Sequence, residues 1–197
     1  TLRASLGFGP RDVVVGFCGT FGGWHGIEVL AEAMPQICAE RGAVKFLLIG
    51  DGNFKHLVKA AIAEHTLESR VKDVGMVPQQ DAARLLAACD ILLSPHSKNM
   101  GDTPFFGSPT ELFDYTAYGV GIVCSDLVQL GEVMRPALTL ADRPSRKPPG
   151  DARAILVEPA CVLGEVLHVV LEEAHRHDES DDRHAVSDRL LSQPSCR

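Results

Sequence analysis

The sequence is short of positive charge and of long apolar runs, and each shortage closes off a class of function. Lys and Arg number 19 against 26 Asp and Glu, a formal net charge of −7, whereas a chain that follows a nucleic-acid backbone needs clustered cations. Nucleic acid is therefore not an expected partner. Apolar stretches such as Val13-Val14-Val15-Gly16-Phe17-Cys18 fall well below the ~18–20 residues that span a bilayer, so no transmembrane segment is expected. No two of the six cysteines form a Cys-x-x-Cys pair. Cys18, Cys38, Cys89, Cys124 and Cys161 lie inside apolar stretches and read as buried reduced thiols, which points to a cytoplasmic location. No charged-then-apolar leader opens the chain, and Thr1 in place of Met suggests a piece of something longer.

What is present is ordinary globular composition, 45% hydrophobic and 23% charged over 197 residues, enough for one domain with tails. Val13–Phe17 is a β-branched run suited to a strand buried on both faces, and Val44–Ile49, Val71–Val77, Ile91–Ser94, Gly121–Ser125 and Ala154–Val157 read as further strands. Between them, apolar residues recur at helical spacing over Gly26–Glu40, with Pro35 expected to kink the helix, and from Phe54 to Ile62. The same spacing returns over Gln79–Cys89, Thr110–Tyr118, a short helix around Leu127–Met134, and Leu163–Leu171. Alternation of this kind requires a parallel sheet with helices on both faces, because a parallel crossover needs a helix to bring the chain back. Residues 1–12 read as a linker or the end of a preceding segment and 13–175 as a Rossmann-like α/β domain. Arg143–Gly150 reads as an exposed loop, and 176–197 as a polar tail, loose or docked elsewhere.

In such a sheet ligands gather at the carboxyl ends of the strands. After the first strand comes Cys18-Gly19-Thr20-Phe21-Gly22-Gly23-Trp24-His25-Gly26, four glycines and a hydroxyl leading into a helix. Glycines admit a close approach to phosphate and a helix N-terminus favours anions, although a tight strand-to-helix turn that holds nothing explains the same residues. It is neither Gly-x-Gly-x-x-Gly nor a Walker loop with its Lys, which argues against a dehydrogenase or an ATPase. After the fourth strand, Ser108-Pro109-Thr110-Glu111 reads as a capping box with Pro at the first helical position. That helix end would also suit a second phosphate, with Asp114 one turn on for sugar hydroxyls. His25 stands in the glycine-rich loop, where its imidazole would meet an anionic leaving group; a surface or cap histidine is the plainer reading. His56, His65 and His96 belong to no constellation, and His168, His175, His177 and His184 lack metal-ligand spacing.

At these loops the sequence resembles the nucleotide-sugar-binding, C-terminal half of GT-B retaining glycosyltransferases of the family-four type. The resemblance runs through Gly16 to Phe21 with Trp24-His25-Gly26, then Leu48-Ile49-Gly50-Asp51-Gly52, then Ala87 to Pro95. It continues in Thr103 to Tyr115 with Ala117 and Gly119, and ends in Ile155-Leu156-Val157-Glu158-Pro159. It implies half of a GT-B fold whose donor substrate is a nucleotide diphosphate sugar, of UDP or GDP, with no metal or other cofactor. The acceptor-binding N-terminal domain would lie outside this chain, and the sugar would pass to an acceptor hydroxyl with retention. It further implies that Gly19, Thr20, Gly22, Gly23, Gly50, Gly52, Ser108, Pro109 and Thr110 surround the diphosphate, that Asp114 binds the ribose, and that His25 is catalytic. The family commonly has Lys where His25 and Glu111 stand and Glu where Asp114 stands, and Phe106 replaces the first Glu of its Glu-x7-Glu pattern. An inward Glu111 would repel a diphosphate, so weakened or altered donor binding is expected. A degenerate interaction module and half of a nucleotide-sugar epimerase are the alternatives on the same fold.

Overall fold

The computed structural model describes residues 1–97, 99–100, 103–104, 110–125, 127 and 154–157. In chain order these form α1 (Leu2–Ser5), β1 (Val13–Cys18), a 3-10 turn (Gly23–His25), α2 (Ile27–Glu40), β2 (Val44–Ile49), α3 (Lys55–Glu64), β3 (Val71–Gly75) and α4 (Gln79–Leu86). There follow β4 (Ile91–Ser94), β5 (Asn99–Met100), β6 (Thr103–Pro104), α5 (Thr110–Thr116), β7 (Gly121–Ser125) and β8 (Ala154–Val157). Six strands make one sheet in the order β3-β2-β1-β4-β7-β8, and every pairing in it is parallel. This is the Rossmann-like arrangement expected from the alternation of strand and helix.

The apolar runs are explained by which face each residue serves. Alternate side chains of a strand point to opposite faces. Val15, Phe17, Phe46 and Leu48 accordingly pack with Ile27, Leu30, Met34 and Val58 of α2 and α3, while Val14, Leu47, Ile49 and Leu92 pack with Leu86, Leu112 and Tyr115 of α4 and α5. Both faces are thus covered, each buried large side chain contributing about 1.5–3 kcal/mol relative to exposure. α2 runs unbroken through Pro35, so the expected kink does not interrupt the element. β3 stops at Gly75 and not at Val77, because Gly75 takes a left-handed φ of 68° and the β2–β3 register shifts at Leu48/Ile49. α4 ends at Leu86, short of Cys89, and α5 at Thr116, short of Tyr118. The short antiparallel β5–β6 pair has no counterpart in the strands expected from sequence.

Residues 1–12 lie against the amino-terminal edge of the sheet. Arg3 Nη1 donates to the Ala88 carbonyl and pairs with Asp90 at 2.9 Å, and Asp90 accepts the Val14 amide at 2.7 Å. Cys18, Cys38, Cys89 and Cys124 are thiols and form no disulfide among the described residues. The helix expected over Leu163–Leu171, the loop Arg143–Gly150 and the tail 176–197 lie outside the described residues, as does the helix expected around Leu127–Met134 apart from Leu127, which is buried and not helical.

Candidate functional site

Chain order reverses direction across the sheet between β1 and β4: β2 and β3 extend to one side of β1, and β4, β7 and β8 to the other. A crevice opens at such a switch point, outside the carboxyl ends of the two strands. The loops leaving β1 and β4 are the two that stand out in the sequence.

The β1–α2 loop is held rigidly from below. Gly19 donates to Ile49 O, Phe21 to Asp51 O, Gly22 to Thr20 O and His25 to Gly22 O. The amides of Gly19 and Gly22 are therefore committed inside the protein, and what these residues offer a ligand is close backbone approach. The unsatisfied donors of a helix belong to its first turn, here the start of α2 at Ile27. Gly50 and Gly52 are required for local packing, since a Cβ on Gly50 would stand 1.9 Å from Gly19 O, and one on Gly52 2.5 Å from Phe21 O. They seat the loop on the β2–α3 turn. Beneath it lies a residue that sequence reasoning missed, Lys55, whose Nζ donates at 2.6 Å to both Gly50 O and Asp73 Oδ1 and sits 4.1 Å from the Phe21 ring centre. A Lys at the first position of a helix after a Gly-Asp-Gly turn was the available signal.

Gly26 joins the two loops. Its φ is 61°, and a Cβ there would fall 1.6 Å from Pro95 O. Only glycine meets both demands. Ser97 N–H also donates to Trp24 O at 3.0 Å, so the segment after β4 is laced to the 3-10 turn.

α5 is fixed by Tyr115, which is fully buried and exchanges hydrogen bonds with the backbone of Cys18. Burial pushes the Tyr115 hydroxyl well above its ordinary range, so it remains a neutral donor. This places Glu111 inward, where its Oε1 lies 3.2 Å from His96 Nε2 and 3.5 Å from Ser94 Oγ, while Ser94 Oγ lies 3.0 Å from His96 Nδ1. The sequence raised an inward carboxylate as a condition and gave no partner for it. His96, assigned to no constellation in the sequence, is 5% exposed and stacks its ring at a tilt against His25, centroids 5.2 Å apart. Burial raises the Glu111 carboxyl, and burial with the neighbouring His96 lowers His25. Burial also lowers His96. His25 Nδ1 is buried without a hydrogen-bond partner among the described residues.

The structure thus gathers Gly19, Thr20, Gly22, Gly23 and His25 with Glu111 at one crevice, with Gly50 and Gly52 underneath. Thr110 and Asp114 lie on the exposed side of α5. Ser108 and Pro109 lie outside the described residues. No group of three or more His, Cys, Asp or Glu among the described residues is arranged to hold a metal, and no described helix is long and apolar enough to cross a membrane.

Comparison with known proteins agrees with the fold. Residues 12–156 match the family described as Glycosyl transferases group 1. The chain is 33% identical over 132 residues to the amylovoran biosynthesis glycosyltransferase AmsK of Erwinia amylovora, covering 66% of this chain and 31% of that protein. It is 31% identical over 158 residues to the 2-deoxystreptamine glucosyltransferase of Streptomyces kanamyceticus, covering 78% and 38%. The chain therefore spans about a third of the length of these relatives. Among solved structures, Anabaena HepE in complex with UDP superposes with a TM-score of 0.63 at 22% identity, covering 89% of this chain and 43% of that one. The C-terminal domain of the Francisella tularensis glycosyl transferase LpcC gives 0.62 at 14% identity, covering 84% and 78%.

Proposed function

The chain belongs to the Glycosyl transferases group 1 family, and from that membership we propose that it is the donor-binding, C-terminal half of a retaining glycosyltransferase of the family-four type. The donor is a nucleotide diphosphate sugar, and an acceptor-binding domain outside this chain completes the enzyme in the cytoplasm. The observation that carries this reading is the interlock of the β1–α2 and β4–α5 segments at the switch point, through Gly26 against Pro95 and Tyr115 against Cys18.

In this reading the diphosphate lies over Gly19–Gly26 at the start of α2, where helix-end partial charge favours an anion. Gly22 and Gly23 let it approach, Thr20 offers a hydroxyl, and Ser108, Pro109 and Thr110 close the other side. Asp114, exposed on α5, accepts from the ribose hydroxyls. His25 donates to the leaving diphosphate as the glycosidic bond breaks, and fixed dipoles stabilise the developing charge without a metal. The protein's part is to position the donor and neutralise charge.

Ligand-induced thermal stabilisation tests the assignment, because a ligand that binds only the folded chain raises its melting temperature by mass action. UDP- or GDP-sugars at millimolar concentration are expected to shift the melt, and no shift with either would overturn the assignment.

A further inference from the structure

The diphosphate reading meets an electrostatic obstacle at its centre. Glu111 turns its carboxylate into the crevice, and Asp114 lies on the same helix, whereas Lys55 is spent on Asp73 and the Gly50 carbonyl. Among the described residues, the groups at the crevice that can become cationic are two imidazoles in ring contact, His25 and His96. An anion entering a crevice that holds one carboxylate and two neutral rings would be repelled. One proton on the ring pair offsets the charge of the carboxylate and removes that repulsion.

The wiring of His96 accommodates a proton without moving a heavy atom. In the neutral ring, Nε2–H donates to Glu111 Oε1 at 3.2 Å and Nδ1 accepts the Ser94 hydroxyl at 3.0 Å. When a proton from solvent arrives at Nδ1, that nitrogen becomes the donor to Ser94 Oγ. The serine hydroxyl then turns its hydrogen to Glu111 Oε1, which already lies 3.5 Å away. His96 Nδ1, His96 Nε2, Ser94 Oγ and Glu111 Oε1 each keep a partner in both states, which matters because a buried donor or acceptor left unpaired costs about 1–3 kcal/mol. On His25, Nδ1 is buried without a partner among the described residues, so His96 is the ring wired to take the proton.

We propose, resting on the donor-site reading above, that His96 is a positioning residue of that site. Carried by Ser94 and Glu111, it seats the His25 ring and takes a proton from solvent as the diphosphate arrives. Glu111 is then the counter-charge that makes a cationic ring pair tolerable while the anion is bound. Burial disfavours protonation of both rings in the empty site, and the arriving anion favours it. Among the described residues, Cys18 from β1 and Asp114 and Tyr115 from α5 interact with Glu111, and Tyr118 from the turn after α5 interacts with Asp114 and Cys18. Burial raises the Cys18, Tyr115 and Tyr118 groups, which keeps them protonated through neutral pH.

The test is calorimetric titration of the whole chain with UDP-glucose and GDP-mannose between about pH 6 and 8, in buffers of different ionisation enthalpy. Nucleotide sugars are used because both their phosphates are diesters and do not titrate in this range. Uptake of about one proton per nucleotide sugar is expected, with about tenfold tighter binding for each pH unit lowered. His96→Gln should reduce the uptake, and Glu111→Gln should tighten binding near pH 8 and flatten the pH dependence. NMR titration of the His25 and His96 rings, with and without saturating ligand, gives the same answer without a substitution, both rings titrating higher in the complex. Binding with no proton uptake, or uptake unchanged in His96→Gln, overturns this inference and leaves the donor site standing. No binding at any pH overturns both.

Discussion

Tyr115 and Cys18 hold each other twice: the Cys18 amide donates to Tyr115 Oη at 3.1 Å, and the Tyr115 hydroxyl donates to the Cys18 carbonyl at 3.2 Å. The first residue lies on α5 and the second at the end of β1, so this pair sets the position of Glu111 relative to the glycine-rich loop.

Tyr115→Phe keeps the ring and removes both bonds, leaving buried backbone groups short of a partner. The expected cost is about 1–3 kcal/mol, read as a fall of several degrees in thermal denaturation. Nucleotide-sugar binding should weaken as well, because α5 loses its anchor to β1. Unchanged stability and affinity would show that packing alone places α5.

Two glycines separate backbone necessity from ordinary turn chemistry. Gly26→Ala should destabilise by more than about 2 kcal/mol in a urea melt, since it meets both a left-handed φ and the Pro95 carbonyl. Gly42→Ala has nothing within 4 Å and no left-handed requirement. It should be neutral, or stabilising by about 0.4–1 kcal/mol through the unfolded chain.

Lys55 and Asp73 should behave as a coupled pair. Asp73 also accepts the Gly75 amide at 3.0 Å, so Lys55→Met removes one of two donors from a carboxylate that is partly exposed. A double-mutant cycle with Asp73→Asn is expected to return a coupling of about 0.5–3 kcal/mol in denaturant unfolding. A coupling near zero would mean that the Phe21 contact and the Gly50 carbonyl hold Lys55 unaided.

The free chain should lose stability as pH falls below neutral. His25 and His96 titrate below their ordinary value of 6.5 in the folded chain, so the stability they contribute is complete above 6.5 and is lost as pH falls through their folded values. The slope is at most about 1.4 kcal/mol per pH unit for each ring. Glu111 acts in the opposite sense. Its carboxyl is raised above 4.5, so its contribution is full below 4.5 and lost as pH rises through the raised value. Melting temperatures of wild type and His96→Gln from about pH 7.5 to 5.5 should diverge, the variant falling less steeply.

Much of the sheet was legible because its strands are short apolar runs: the bounds read for β2, β4, β7 and β8 are those observed. The α2 and α3 stripes were legible for the same reason, as a periodic burial pattern. Boundaries set by tertiary contact were not, as where Gly75 turns and ends β3 early. At the crevice, glycine enrichment marked the β1 loop, and Glu111 stood out as a charge facing an expected anion. His96 gave no such signal, because its partners Ser94 and Glu111 meet it only once α5 is folded against β4. Lys55 was hidden likewise, since a cation at the start of a helix reads as solvated until the Gly50 carbonyl and Asp73 are seen to surround it.

The fit of Gly26 against the Pro95 carbonyl bears on attempts to re-engineer this molecule. A β1–α2 segment transplanted from another member of the family would arrive shaped for a different neighbour after β4. Exchanging donor preference by loop grafting will succeed only when both connections travel together, as one inherited cassette.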